Sequence, residues 1–198
     1  LFDRMRTQLM AGQFLDVVES VRPWAGLDDS ERVARASRVI RYKSAKYTIE
    51  HPLLIGATTG GLGETDLSEL SSYGLDLGHA FQLRDDVLGV FGDPETTGKP
   101  AGDDLREGKR TVLVAHTLTG ASAAGRGRVE ELLGRADLAQ EHVEDLRAII
   151  TESGAGTAVE AEISRLAEQS LAALGRATGV AADARAVLAD LVEISTAR

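Results

Sequence analysis

Cysteine is absent from the sequence, which excludes a disulfide framework, a cysteine-ligated zinc and a thiol nucleophile. The same absence is compatible with a reducing compartment, so a cytoplasmic chain is the expectation. Aromatic residues are few, at 4%. The single tryptophan, Trp24, sits in a Pro-Gly turn, where it should pack at a helix junction. Positive charge is in deficit. Lysine and arginine number 22 against 31 acids, a formal net charge of −9, and this disfavours nonspecific attraction to nucleic acid or to an anionic lipid surface. No apolar run approaches the roughly 18 to 20 residues that a membrane span requires, and none is predicted. Credible strand pairs, internal repeats and low-complexity tracts are missing as well.

Helical periodicity fills the space these absences leave. The 198 residues suffice for one compact core or a large part of a bigger one. The opening places Leu1, Met5, Leu9, Phe14, Val17, Val18 and Val21 at helical spacing with no capping residue ahead. The sequence is therefore expected to start inside a helix, with something upstream of it. This helix should end near Pro23 and Gly26. The next should run from about Ser30 to His51-Pro52, where proline should break or bend it. After Gly60, Gly61 and Gly63 comes a long, mostly buried helix from about Thr65, its expected start, to Phe91. Gly74 and Gly78, one turn apart, predict a close helix contact. Gly92 to Gly108 reads as a long loop, and further helices are predicted near 110–118, 126–134, 139–152, 156–175 and 180–196.

The stretch FQLRDDVLGVFGD, residues 81–93, sets two adjacent carboxylates, Asp85 and Asp86, into a mostly apolar helix. Gln82 lies one turn before Asp86 and can present its amide beside it. Neighbouring carboxylates in an apolar wall are costly unless a cation compensates them. Hard oxygen ligands without cysteine or paired histidines favour magnesium, which takes one or two carboxylates, phosphate oxygens and water. Alone, such a pair is more often a solvated or ion-paired structural feature. The following loop adds Asp93, Lys99, Asp104 and Lys109, with Gly92, Gly98, Gly102 and Gly108 permitting close backbone approach. Alternating acids and ammonium groups suit a metal-diphosphate complex. A P-loop fails, because Gly92 and Gly98 have five residues between them and Pro100 stands where Ser or Thr is needed. An EF-hand fails because GDDLREG lacks alternating acidic ligands. His51, His79, His116 and His142 show no pairing at ligand spacing and read as packing or surface residues.

FQLRDD followed by GKPAGDDLREGKRT resembles the second aspartate-rich region of the trans-type isoprenyl diphosphate synthases. GQFLD at Gly12 to Asp16, KSAKYT at Lys43 to Thr48 and YGLDLGHAFQ at Tyr73 to Gln82 resemble further blocks of that family in the same order. The resemblance implies the C-terminal part, residues 1–198, of a single synthase domain. It implies an all-α fold, an antiparallel helix bundle around a central cavity with carboxylates at its mouth and apolar side chains below. It implies Mg2+ held by Asp85 and Asp86, catalytic roles for Lys43, Gln82 and Lys99, and diphosphate binding by Lys43, Ser44, Gln82, Lys99 and Lys109. Family members carry a further aspartate three positions after the pair, where this chain has Gly89, so Asp93 or Asp104 is expected to supply that contact through water.

The implied reaction is head-to-tail condensation of isopentenyl diphosphate with an allylic diphosphate by a homodimeric prenyltransferase. The family's first aspartate-rich motif and isopentenyl diphosphate pocket have no match in the chain, so by itself it is expected to be inactive. A non-catalytic partner subunit of a heteromeric synthase and a terpene cyclase are the alternatives. Retention of Gln82, Asp85, Asp86, Lys99 and Lys109 argues against the first. The lack of a cyclase-type Asn, Ser/Thr and Glu pattern at 82–90 argues against the second.

Overall fold

The computed structural model describes residues 1–93, 102–135 and 137–197, and every regular element among them is helical. In order these are α1 (Phe2–Val21), α2 (Asp29–Val39), a π-helical segment (Ile40–Glu50), α3 (His51–Thr59), α4 (Glu64–Phe91), α5 (Asp103–Arg106), α6 (Val112–Gly120), α7 (Ala123–Leu132), α8 (Gln140–Glu152), α9 (Ala155–Arg176) and α10 (Ala182–Thr196).

Local chemistry sets the starts. Asp28 accepts the Glu31 N–H at 2.8 Å while the Glu31 carboxylate accepts the Asp28 N–H at 3.3 Å, a reciprocal box that opens α2. Helix α4 begins at Glu64 rather than at Thr65, because Gly61, at φ +81°, turns the chain and the Gly63 carbonyl already takes the Leu67 N–H at 3.0 Å. Thr111 caps α6, its hydroxyl accepting the Val114 N–H at 3.2 Å.

Of the break or bend expected at Pro52, the break does not occur. The proline occupies the first turn of α3, directly after the π-helical segment, and the His51 N–H reaches back five residues to the Lys46 carbonyl. The wider π turn gives the pyrrolidine ring room where an α-helix would press it against a carbonyl. The backbone therefore stays helical from Asp29 to Thr59.

The chain divides into two compact units. The first comprises Leu1–Val17, Arg38–Arg84 and Glu162–Arg198. Its core joins Leu70, Tyr73 and Leu77 of α4 to Ala173 and Leu174 of α9 and Val192 of α10. Burial of these side chains is the main stabilising term, roughly 1.5–3 kcal/mol for each large one. The Tyr73 hydroxyl is satisfied by donating to the Leu188 carbonyl at 2.7 Å, and the Ser170 hydroxyl by donating to the Tyr73 carbonyl at 3.0 Å. Two glycines of α4 set its approach to the π segment. A methyl on Gly74 would lie 2.7 Å from Glu50 Cα, and one on Gly78 would lie 2.5 Å from Ala45 Cα. The close contact expected from their spacing is thus present, backbone against backbone.

The second unit comprises Val18–Ser37 and Asp85–Ala161. Here α6 packs against α7 and α8, and α7 against α8. Helix α6 is apolar nearly all round, burying Val112, Leu113, Val114, Ala115 and Leu118, as a helix enclosed on every side must. Trp24 is buried with the Arg110 guanidinium 5.6 Å above its ring, and its indole N–H points to Glu19 at 3.5 Å. Arg147 closes the end of α4, donating from Nε to the Val90 carbonyl at 2.7 Å.

Candidate active site

Gly12 is the first site residue that the fold explains. A methyl there would meet the Tyr42 carbonyl carbon at 2.4 Å and the Lys43 nitrogen at 2.5 Å, so α1 lies directly on the π segment only because that side chain is absent. Asp16 follows one helical turn later and receives the Lys43 ammonium at 2.5 Å, each side chain about one-third exposed. The spacing Gly-x-x-x-Asp thus has a mechanical meaning: glycine admits the neighbouring backbone and aspartate anchors its lysine. Sequence reasoning quoted this block without assigning Asp16 a role.

Lys43 and Ser44 both lie in the π segment, a rare form often found at functional sites. The Ser44 hydroxyl donates to Gln82 Oε1 at 2.5 Å. Two blocks read separately from the sequence therefore meet at Ser44 and Gln82 in the first unit, while the adjacent Lys43 turns its ammonium to Asp16. Their placement depends on α4, where Gly74 and Gly78, at the four-residue spacing that leads to Gln82, admit the backbone of the π segment.

Behind this face is a buried polar lock. Lys46 donates to Glu50 Oε2 at 2.7 Å, and Ser71 of α4 donates to Glu50 Oε1 at 2.6 Å. His51 is buried with Nε2 2.8 Å from Gln8 Oε1, and burial lowers its pKa below the ordinary value. Burial likewise lowers His79, opposed by the charge of Glu162. Both shifts favour the neutral imidazole.

In the second unit, Asp85 is exposed and Asp86 buried. The adjacent carboxylates thus differ in environment. Asp104 is buried and ion-paired with Lys109, which also reaches Glu107 at 3.2 Å. Burial pushes the Lys109 pKa down, but the hydrogen bond and charge of Asp104 outweigh it and hold the ammonium above its ordinary value. The sequence reading of residues 92–108 as loop missed the single helical turn α5, whose end supplies this pair. Lys99 lies outside the described residues.

Among the described residues no three histidines or acids converge closely enough to hold a metal ion by themselves. Asp85 and Asp86 nevertheless fit magnesium, which asks a protein for only one or two carboxylates and takes its other ligands from water and phosphate. An apolar pocket of about 420 Å3 opens in the first unit, lined by Ile49, Leu53, Leu77, Phe81, Leu188 and Leu191 among others, and none of the expected site residues lines it. Among the described residues no helix is long and apolar enough to cross a membrane.

Comparison with known proteins shows the family of the chain. The chain is 35% identical over 156 residues to the geranylfarnesyl diphosphate synthase of Aeropyrum pernix, covering 79% of this chain and 48% of that one. It superimposes with a TM-score of 0.88 and 42% identity on the geranylgeranyl pyrophosphate synthase of Corynebacterium glutamicum complexed with isoprenyl diphosphate and magnesium, covering 98% of this chain and 53% of that one. A polyprenyl synthase of Caulobacter crescentus complexed with calcium and isoprenyl diphosphate gives a TM-score of 0.86 at 29% identity, covering the whole of this chain and 57% of that one. The chain spans about half the length of the curated relative it matches. Residues 1–150 match the family described as Polyprenyl synthetase, and the chain belongs to that family.

Proposed function

We propose that this chain carries the diphosphate-binding face of a prenyltransferase that condenses isopentenyl diphosphate with an allylic diphosphate, head to tail, to give a longer prenyl diphosphate. The observation that carries the reading is the 2.5 Å hydrogen bond from the Ser44 hydroxyl to the Gln82 amide oxygen, which joins two distant blocks, with the adjacent Lys43 held by Asp16. The relatives' names and the isoprenyl diphosphate complexes of two neighbours support it.

In this reaction the allylic carbon–oxygen bond breaks and the diphosphate leaves with the bonding pair. The double bond of isopentenyl diphosphate then forms the new carbon–carbon bond, and a proton passes to the released diphosphate. Lys43, Lys99 and Lys109 neutralise the departing group, with Ser44 and Gln82 fixing its orientation. Asp16 keeps the Lys43 ammonium in place before substrate arrives, so little reorganisation is needed when charge develops. Asp85 and Asp86 would hold magnesium, which supplies further charge neutralisation when bound. Assembly as a homodimer in the cytoplasm belongs to the same proposal.

The test is Lys43→Ala in the full-length protein, assayed by incorporation of labelled isopentenyl diphosphate. Loss of one preorganised donor of this kind lowers kcat by about 100- to 1000-fold. Turnover within twofold of the parent would remove Lys43 from the site. In parallel, Asp85→Ala should abolish the magnesium dependence with which an allylic diphosphate analogue binds; equal metal-dependent binding by both proteins would refute the metal assignment.

A further inference from the structure

Position 89 of α4 follows Asp85 by one turn, so a side chain there would project alongside it. The chain has glycine at that point, and the space is filled from elsewhere. A methyl on Gly89 would fall 2.2 Å from Asp104 Oδ2 and 2.6 Å from its Cγ. The Asp104 carboxylate therefore rests on the bare backbone of α4, 7% exposed, and any side chain at 89 would expel it. Its other oxygen, Oδ1, receives the Lys109 ammonium.

A backbone motif makes the same link. The Lys109 N–H donates to the Asp104 carbonyl at 3.0 Å and the Gly108 N–H to that of Leu105 at 3.3 Å. Gly108, at φ +69°, completes the left-handed close of α5. That close cannot take a larger residue, since a methyl on Gly108 would lie 2.7 Å from Gly134 Cα. Lys109 is thus tied to Asp104 twice, by main chain and by side chain. The carboxylate is sealed while the lysine side chain remains 38% exposed.

We infer that Asp104 is a positioning residue for Lys109, and that Gly89 is the seat that admits it: the vacant helix position exists to aim an ammonium. This differs from the expectation that Asp104 replaces a missing acid as a water-linked metal contact. One of its oxygens faces Lys109 and the other lies on Gly89, and no three-acid cluster forms among the described residues. A long lysine loses considerable rotamer freedom when it grips a ligand; a buried carboxylate that fixes it in advance lowers that loss.

The inference rests on the reading of Lys109 as a diphosphate contact, and the experiment separates the two. In the full-length protein, inorganic pyrophosphate with magnesium chloride is titrated calorimetrically into the parent, Gly89→Ala, Lys109→Gln and the double variant. Glutamine keeps a donor for Asp104 but carries no charge. Gly89→Ala should weaken pyrophosphate binding by about tenfold, within the range coupled neighbours show, and should have no further effect once Lys109→Gln is present. Parent-like binding by Gly89→Ala, or an equal loss in both backgrounds, overturns the positioning role. Parent-like binding by Lys109→Gln instead overturns the assignment of Lys109 itself. Should thermal melting show Gly89→Ala to be unfolded, Asp104→Asn with and without Lys109→Gln takes its place under the same criteria.

Discussion

Lys46 and Glu50 in the first unit, and Asp104 and Lys109 in the second, are both lysine–carboxylate pairs close along the chain, yet they are built differently. Lys46 and Glu50 are sealed together, with side chains 9% and 5% exposed, and Glu50 is completed by Ser71. Asp104 is as deeply buried, but its lysine is 38% exposed. A pair closed to water on both sides has its charges satisfied internally and can only hold structure. A pair buried on one side presents an oriented cation. Lys43 and Asp16, each 34% exposed, are buried on neither side, but their lysine too reaches water. Exposure of the lysine, more than the presence of an ion pair, separates the charges that brace this molecule from those open to solvent.

The largest expected effect tests the sealed pair. Glu50→Ala leaves Lys46 buried without its counter-ion, which should lower stability by about 3–5 kcal/mol in urea denaturation. Replacing both, as Lys46→Met with Glu50→Leu, should recover most of that loss, because the uncompensated charge disappears with its partner. A loss below about 1 kcal/mol for Glu50→Ala would place this pair among solvent-screened ones and erase the contrast.

Two glycine positions, one in each unit, differ in the same way. Gly78→Ala would drive a methyl to 2.5 Å from Ala45 Cα, and backbone on both sides leaves no side chain to rotate away. A destabilisation of about 1–3 kcal/mol is expected by thermal melting. Gly127 of α7, in the second unit, has nothing within 4 Å of the same added methyl. Gly127→Ala should therefore stabilise by about 0.4–1 kcal/mol. Similar losses at both positions would mean that helix propensity, not close approach, decides these sites.

The contrast also explains what the sequence made legible. The long helix expected at 65–91 is α4 at Glu64–Phe91, and the later helices lie within a few residues of their predicted ranges, because period and glycine punctuation are local signals. The Gly74–Gly78 contact was readable for the same reason. Ser44 and Gln82 were named as site residues from separate blocks, and their hydrogen bond brings them together. The π register of 40–50 was not readable, because a one-residue slip in backbone hydrogen bonding has no side-chain signature of its own. It also carried the helix past Pro52, where a break or a bend was expected. Partners across long separations escaped too: Asp16 for Lys43, 27 residues apart, and Asp104 seated on Gly89. The left-handed close at Gly108 did leave a mark, a glycine directly after one short turn, which reading 92–108 as loop overlooked.

The smallest expected effect concerns Thr111, which separates stability from site geometry within the second unit. Its hydroxyl holds the Val114 N–H at 3.2 Å and opens α6 two residues beyond Lys109. Thr111→Ala removes that cap and should cost about 1 kcal/mol. If Lys109 is aimed by Asp104, Gly89 and the Gly108 turn, the loss should appear in thermal melting while pyrophosphate affinity stays within twofold of the parent, since none of those three contacts passes through Thr111. A drop in affinity as large as that of Gly89→Ala would show that the lysine is steered by the start of α6, and the burial of Asp104 would then be a packing feature only.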